Sequence, residues 1–232
     1  MASTQETAGQ RPTVLVVGAS RGIGAELVSQ SLQAGAQVWA TARDEASLQR
    51  LSNQGARALK LDVSDPTSAA GLAWPLDGVA FDAVYFCAGV FGPRHQQPEP
   101  PTQQDFDLVM HTNVLGPMLI LPQLRDHLAS RASVLVLSSV MGSLSGRGGH
   151  SGWLYRASKA AVNSVVCDLA AHAPKGTVVC AVHTGWVRTA MGGAQADLSV
   201  GDCARDLQRL ADGLEPMHNG GFFNHDGKPL PW

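Results

Sequence analysis

Residues 151–160 read SGWLYRASKA, which sets Tyr155 and Lys159 at i and i+4. On a helix that spacing brings two side chains onto one face. A phenol holds its proton to about pH 10, and a lysine ammonium slightly higher. A cation near a phenol favours the phenolate and lowers its pKa. The pair therefore predicts a tyrosine whose proton is mobile near neutrality, which is what general acid–base chemistry requires. The bland alternative is a packed ring and a solvated amine. The rest of the site decides between them.

A second chemical signal lies near the start. The run VVGASRGIGAEL places Gly18, Gly22 and Gly24 in a GxxxGxG spacing between an apolar run and a helical pattern. Glycines at a strand-to-helix turn let the backbone approach a pyrophosphate, which then sits at the positive helix end. The next apolar run ends in ATARD, with Arg43 nineteen residues after Gly24. An acidic residue near this point suits a ribose 2′-hydroxyl, and an arginine suits a 2′-phosphate. Asp44 fits the N-cap of the helix that opens DEAS, and Arg21 is a second phosphate partner. NADP(H) is thus expected ahead of NAD(H). The alternative for either arginine is a solvated surface charge.

Other chemistries find little support. The formal net charge of −2 gives no electrostatic case for nucleic acid or an anionic membrane. The eight histidines lack metal spacing such as HExxH, so no metal site is expected. Cys87, Cys167, Cys180 and Cys203 are far apart and read as reduced thiols in a cytoplasmic protein. The polar N-terminus lacks a signal-type apolar core, and no apolar stretch approaches the roughly 20 residues of a membrane helix.

The elements that must position these residues alternate along 232 residues. Apolar, β-branched runs predict strands over 13–17, 37–41, 57–61, 83–87, 133–138, 177–182 and 221–224. Helical patterns fall over 23–33, 45–54, 67–73, 104–129, 153–172 and 200–214. Strand–helix alternation implies a doubly wound, Rossmann-type parallel sheet of about seven strands flanked by helices. One domain over 13–232 is expected, after a flexible tail over 1–12. The Pro-rich stretch GPRHQQPEPP (92–101) reads as a long rim loop.

With those residues in order, the chain resembles the short-chain dehydrogenase/reductase family. The motifs are GASRGIG (18–24), LDV (61–63), CAG (87–89), Asn113 in HTNVLGP, Ser139 in LSSVMG, and YRASK (155–159). HTGWVRTAMGG (183–193) and FFNHDGKPLPW (222–232) look like the C-factor and sniffer-like carbonyl reductases of that family. Three positions depart from its pattern. Val17 stands where a threonine usually opens the glycine motif. The segment Phe86–Cys87–Ala88–Gly89 lacks two asparagines that brace the sheet beside the cofactor. Thr184–Gly185 replaces a proline–glycine pair.

The resemblance implies reversible hydride transfer between a nicotinamide and a ketone, aldehyde or alcohol. Tyr155 is then the general acid–base, and Ser139 binds the carbonyl oxygen, with Ser138 as the neighbouring alternative. Lys159 lowers the tyrosine pKa and holds the nicotinamide ribose. Asn113 joins a proton relay. The implied cofactor site is Gly18, Ser20, Arg21, Gly22, Ile23, Gly24, Arg43, Asp62, Val63, Ala88, Gly89, Asn113, Tyr155, Lys159, Val187 and Thr189. The short segment after Thr189 predicts an open pocket for small or medium ketones, aldehydes or quinone-like carbonyls, completed by the loop at 90–102. Trp153, Trp186, His150 and Met191 are pocket candidates. A homodimer or homotetramer is expected. The small residues Ala157, Ala160, Ala161 and Ser164 either permit close helix packing between copies or face the sheet. The competing reading is an NADP(H)-binding sensing or signalling protein with little turnover.

Overall fold

The structure, a computed structural model, describes residues 11–232. The tail expected over 1–12 therefore lies, apart from Arg11 and Pro12, outside the described residues. Seven strands form one sheet: β1 (Thr13–Val17), β2 (Gln37–Ala42), β3 (Arg57–Lys60), β4 (Phe81–Phe86), β5 (Leu128–Ser138), β6 (Val178–His183) and β7 (Phe222–Asn224). Their order is β3-β2-β1-β4-β5-β6-β7, and every neighbouring pair is parallel.

Near-continuous apolar runs form these strands because both faces are covered. Along β1, Leu15 and Val17 enter one core with Ile120, Leu124, Val162 and Val166. Val14 and Val16 enter the other with Leu27, Val28, Leu51 and Leu207. Helices α1 (Gly22–Gln33), α2 (Glu45–Asn53) and α7 (Val200–Gly213) supply the second layer. The first layer comes from α3 (Pro66–Ala70), α5 (Gly116–Ile120) and α6 (Trp153–Ala171). Side-chain caps start several helices: Asp44 accepts from Ser47 N, and Ser199 from Asp202 N.

Strand order reverses at β1. The chain builds β2 and β3 on one side, then crosses back to lay β4 on the other. Such a switch point opens a crevice at the carboxyl ends of the strands, where ligands sit in this architecture.

One element differs from expectation. The helix expected over 104–129 is four pieces: α4 (Gln103–Met110), a π-turn (His111–Leu115), α5, and a 3-10 segment (Leu121–His127). Pro117 and Pro122 cannot donate to a helical ladder, which breaks its continuity. The strand β5 then begins at Leu128, inside the expected helix. Of the small residues of α6, Ala157 and Ser164 are exposed, and Ala160 and Ala161 half-buried.

Candidate active site

The glycine turn joins β1 to α1. Gly18 has φ +87°, and a Cβ there would stand 2.7 Å from Ala88 N. A Cβ on Gly24 would stand 2.3 Å from Gly18 O. Only glycine admits these approaches. The turn is braced by a residue the motif reading passed over. Thr41 Oγ1 accepts from Gly18 N at 3.0 Å, and its carbonyl accepts from Ala19 N at 2.8 Å. Val17 O accepts from both Cys87 N and Ala88 N, at 2.8 and 3.0 Å. Backbone and Thr41 thus supply bracing that the missing asparagines do not.

Arg21 is the N-cap of α1 without a side-chain cap bond, and no acidic residue lies in the first turn. The amides of that turn, with Ser20 and Ile23, are therefore suited to an anion. Arg50 steadies the turn by donating to Ser20 O at 2.7 Å. Across the crevice, a Cβ on Gly22 would meet Thr189 Cγ2 at 3.4 Å, so Thr189 faces the glycines. Val187, two residues earlier, is buried in the core.

At the rim, the two residues that follow β2 divide their roles. Asp44 is spent on capping α2, and its hydrogen bonds from Ser47 hold its carboxyl below the usual range. The Arg43 guanidinium is 63% exposed and lies 3.9 Å from Asp62 Oδ2. Asp62 Oδ1 accepts from Ser64 N and Oγ. Val63 turns into the core under Gly116, where a Cβ would meet it at 3.1 Å.

The polar cluster lies where β4, β5 and α6 meet. Ser138 and Ser139 part company: Ser138 Oγ donates to Asn163 Oδ1 at 2.5 Å in the interior, whereas Ser139 lies beside the Tyr155 hydroxyl. Lys159 is buried and donates to Leu137 O at 2.7 Å, with its Nζ 5.6 Å from the Tyr155 ring centroid. Asn113 occupies the π-turn, a distortion frequent at functional positions. Its Nδ2 donates to Val90 O at 2.8 Å and Ser158 Oγ at 2.9 Å, and its Oδ1 accepts from Val90 N at 2.8 Å. One Oδ1 lone pair remains. Gly89 closes the cluster, since a Cβ on it would stand 3.4 Å from Asn113 Oδ1 and 3.6 Å from Lys159 Nζ.

Burial dominates the electrostatics of the pair. Burial pushes the Tyr155 phenol up to about 12, and the Ser139 hydroxyl only partly opposes this. Burial also pulls Lys159 down to about 8. The Lys159 ammonium is turned to the β5 backbone and sits over the Tyr155 ring, and burial is the larger influence on the phenol. Among the pocket candidates, Trp153 donates to Glu99 O at 3.1 Å and Trp186 to Gly192 O at 2.8 Å, while Met191 is partly exposed. Phe91 and Ser158 were not anticipated. Only the position of Phe91 just after a strand, at the head of the rim loop, hinted at it.

The parallel sheet and its glycine turn define a class: a nucleotide-binding fold of the doubly wound kind. The family model described as enoyl-(acyl carrier protein) reductase matches residues 18–214. C-signal of Myxococcus xanthus is 40% identical over 125 residues, 52% of this chain and 74% of that protein. A carbonyl reductase from Pseudomonas aeruginosa PAO1 in complex with NADP is 33% identical, with a TM-score of 0.84 over 96% of this chain and 100% of that one. The carbonyl reductase Sniffer of D. melanogaster is 25% identical, with a TM-score of 0.86 over 96% and 100%. The chain belongs to the short-chain dehydrogenase/reductase family, and within it is similar to the C-signal and sniffer-like proteins.

Proposed function

We propose that the protein is an NADP(H)-dependent carbonyl reductase of small or medium ketones, aldehydes or quinone-like carbonyls. The observation that carries this reading is the convergence of Ser139, Tyr155, Lys159 and Asn113 at the carboxyl end of the sheet, facing the glycine turn. The fit to a dinucleotide rests on the close backbone approach at Gly18 and Gly24, on the uncapped first turn of α1, and on Arg43 at the rim. The NADP complex of the Pseudomonas aeruginosa reductase supports the phosphorylated form.

When bound, the reduced nicotinamide supplies the hydride. The chain's own residues manage the proton and the oxygen. A phenol pushed up to about 12 keeps its proton throughout the neutral range, so Tyr155 serves as a general acid toward a carbonyl oxygen. Ser139 donates to that same oxygen and stabilises the charge that develops on it. Lys159, charged below about pH 8, holds positive charge beside the ring and the ribose side of the cleft. Asn113 retains one acceptor position for the relay that returns a proton. Oxidation of an alcohol would use the same residues in reverse, with Tyr155 taking the proton.

The outward small-residue face of α6 supports assembly with further copies, as a dimer or tetramer. The four free cysteines support a cytoplasmic setting. A signalling protein with little turnover is the second reading, favoured by the C-signal match.

Fluorescence titration with NADPH and NADH, then a carbonyl panel on the same sample, tests the proposal. Tight NADPH binding and turnover, with Tyr155→Phe retaining binding and losing activity about 10²-fold or more, is the expected result. Retained biological function in Tyr155→Phe turns the assignment to the signalling reading. No turnover of any carbonyl with either nucleotide rejects the reductase.

A further inference from the structure

The Pro-rich rim loop does more than border the cleft. Its first aromatic residue, Phe91, stacks on Tyr155, with ring centroids 4.5 Å apart and planes 19° from parallel. The other face of Phe91 carries the Arg94 guanidinium, 4.4 Å from the ring centroid. Arg94 in turn donates to Met191 O, in the segment just after Thr189. Phe91 is thus held between the phenol and a cation that is itself tied across the cleft.

Its backbone is fixed with equal care. Asn113 holds both the N–H and the carbonyl of Val90, the preceding residue. Gly92, the following residue, has φ +76°, and a Cβ there would stand 2.4 Å from Val109 Cγ2. A larger residue at 92 could not let the chain pass α4 on this path. Further on, His95 O accepts from Gly152 N and Glu99 O from Trp153 Nε1, both at 3.1 Å. These bonds tie the loop to the first residues of α6. A Cβ on Gly152 would reach Phe91 Cζ at 3.0 Å, so the ring edge is also confined.

The para oxygen of a buried phenol lies on the axis of its last torsion, so it is displaced only when the whole ring swings or tilts, and that is the freedom a neighbour must limit. An aromatic plane laid on one face removes much of that freedom, and it also keeps water from the ring. Lys159 lies at the ring of Tyr155 as well, with Ser139 near its hydroxyl. We propose that Phe91, clamped by Arg94, is the positioning residue for Tyr155: it sets the orientation of the phenol and withholds water from it. The assignment rests on Tyr155 acting as proposed above.

The test compares Phe91→Leu, which keeps apolar volume but no aromatic plane, with Phe91→Tyr, which keeps the plane. Phe91→Leu is expected to lower kcat three- to tenfold at unchanged NADPH affinity. The high-pH limb of its kcat profile should move to lower pH, because water then reaches the phenol. Phe91→Tyr should restore both. The chain has two tyrosines, so ring-labelled tyrosine gives two NMR signals. The Tyr155 signal should lose its ring-current shift in Phe91→Leu while the Tyr85 signal stays. An unchanged kcat and pH profile in Phe91→Leu overturns the proposal. So does a loss of activity with an unmoved pH profile, which marks a merely structural residue. If the wild-type protein reduces no carbonyl, the reductase reading fails separately. The NMR titration of Tyr155 in wild type and Phe91→Leu then decides the positioning role.

Discussion

Asn113 and Ser158 are joined by a hydrogen bond of 2.9 Å across 45 residues of sequence. Ser158 Oγ then donates to Tyr155 O at 2.8 Å. The asparagine of the π-turn therefore grips the first turns of α6, between the two residues whose spacing first suggested chemistry. Its other contacts hold Val90, so one amide ties the rim loop to the helix that bears the phenol.

Ser158→Ala removes the middle of this chain and leaves an Asn113 donor buried without a partner. A buried group so orphaned costs about 1–3 kcal/mol. Urea denaturation should show that loss. NADPH affinity should change little, since Ser158 is fully buried behind the cluster. A stability equal to wild type would show that the bond contributes nothing net.

Arg43 is the residue on which nucleotide choice should turn. Its guanidinium is exposed and only loosely paired with Asp62, so a phosphate can recruit it without breaking a strong contact. Hydrogen bonds to charged groups are worth about 1.5–3 kcal/mol. Arg43→Ala should therefore weaken NADPH binding about 10- to 100-fold and leave NADH binding nearly unchanged. Equal loss for both nucleotides would remove Arg43 from 2′-phosphate recognition.

Much of this arrangement was legible in the chain. Continuous apolar runs between helical patterns gave the parallel sheet, and the seven strands fall within a few residues of the expected places. At β5 the start moved five residues, because a 3-10 segment ends where a helix was expected to continue. The glycine turn was legible because its backbone geometry permits no other residue. Thr41, Ser158 and Phe91 were not. Each acts through a contact between distant segments, and a threonine in a strand or a serine in a helix carries no local sign of that. The burial that raises Tyr155 was hidden for a related reason. Spacing places a lysine near a tyrosine, but burial depth and the direction of the amine depend on the packed fold.

Thr41→Val tests the brace beneath the glycine turn. The side chain is almost fully buried, and its hydroxyl is the acceptor for Gly18 N. Valine keeps the shape and leaves that amide without a partner. A loss of about 1–3 kcal/mol in stability is expected, with weaker binding of both nucleotides. Nucleotide affinity at the wild-type level would mean that the turn holds its form through backbone bonds alone.

His183, at the end of β6, should make the fold sensitive to acid. Its Nδ1 is buried without a hydrogen-bond partner. Burial first, and His225 second, hold its pKa down to about 4 from an ordinary 6.5. His225 faces it with Nδ1 bonded to Asp206 at 2.8 Å, and Cys203 lies on the same helix as that aspartate. Because the folded pKa is depressed, the unfolded chain takes up the proton first as pH falls. The contribution of His183 is therefore fully present above pH 6.5 and is lost as pH drops toward 4. Over that window the loss is about 2–3 kcal/mol. Denaturant midpoints at pH 7 and pH 4.5 should diverge more in the wild-type protein than in His183→Leu, which cannot titrate there. If the two proteins lose stability in parallel, His183 accepts its proton without opening the end of the strand, and the acid sensitivity belongs to other groups.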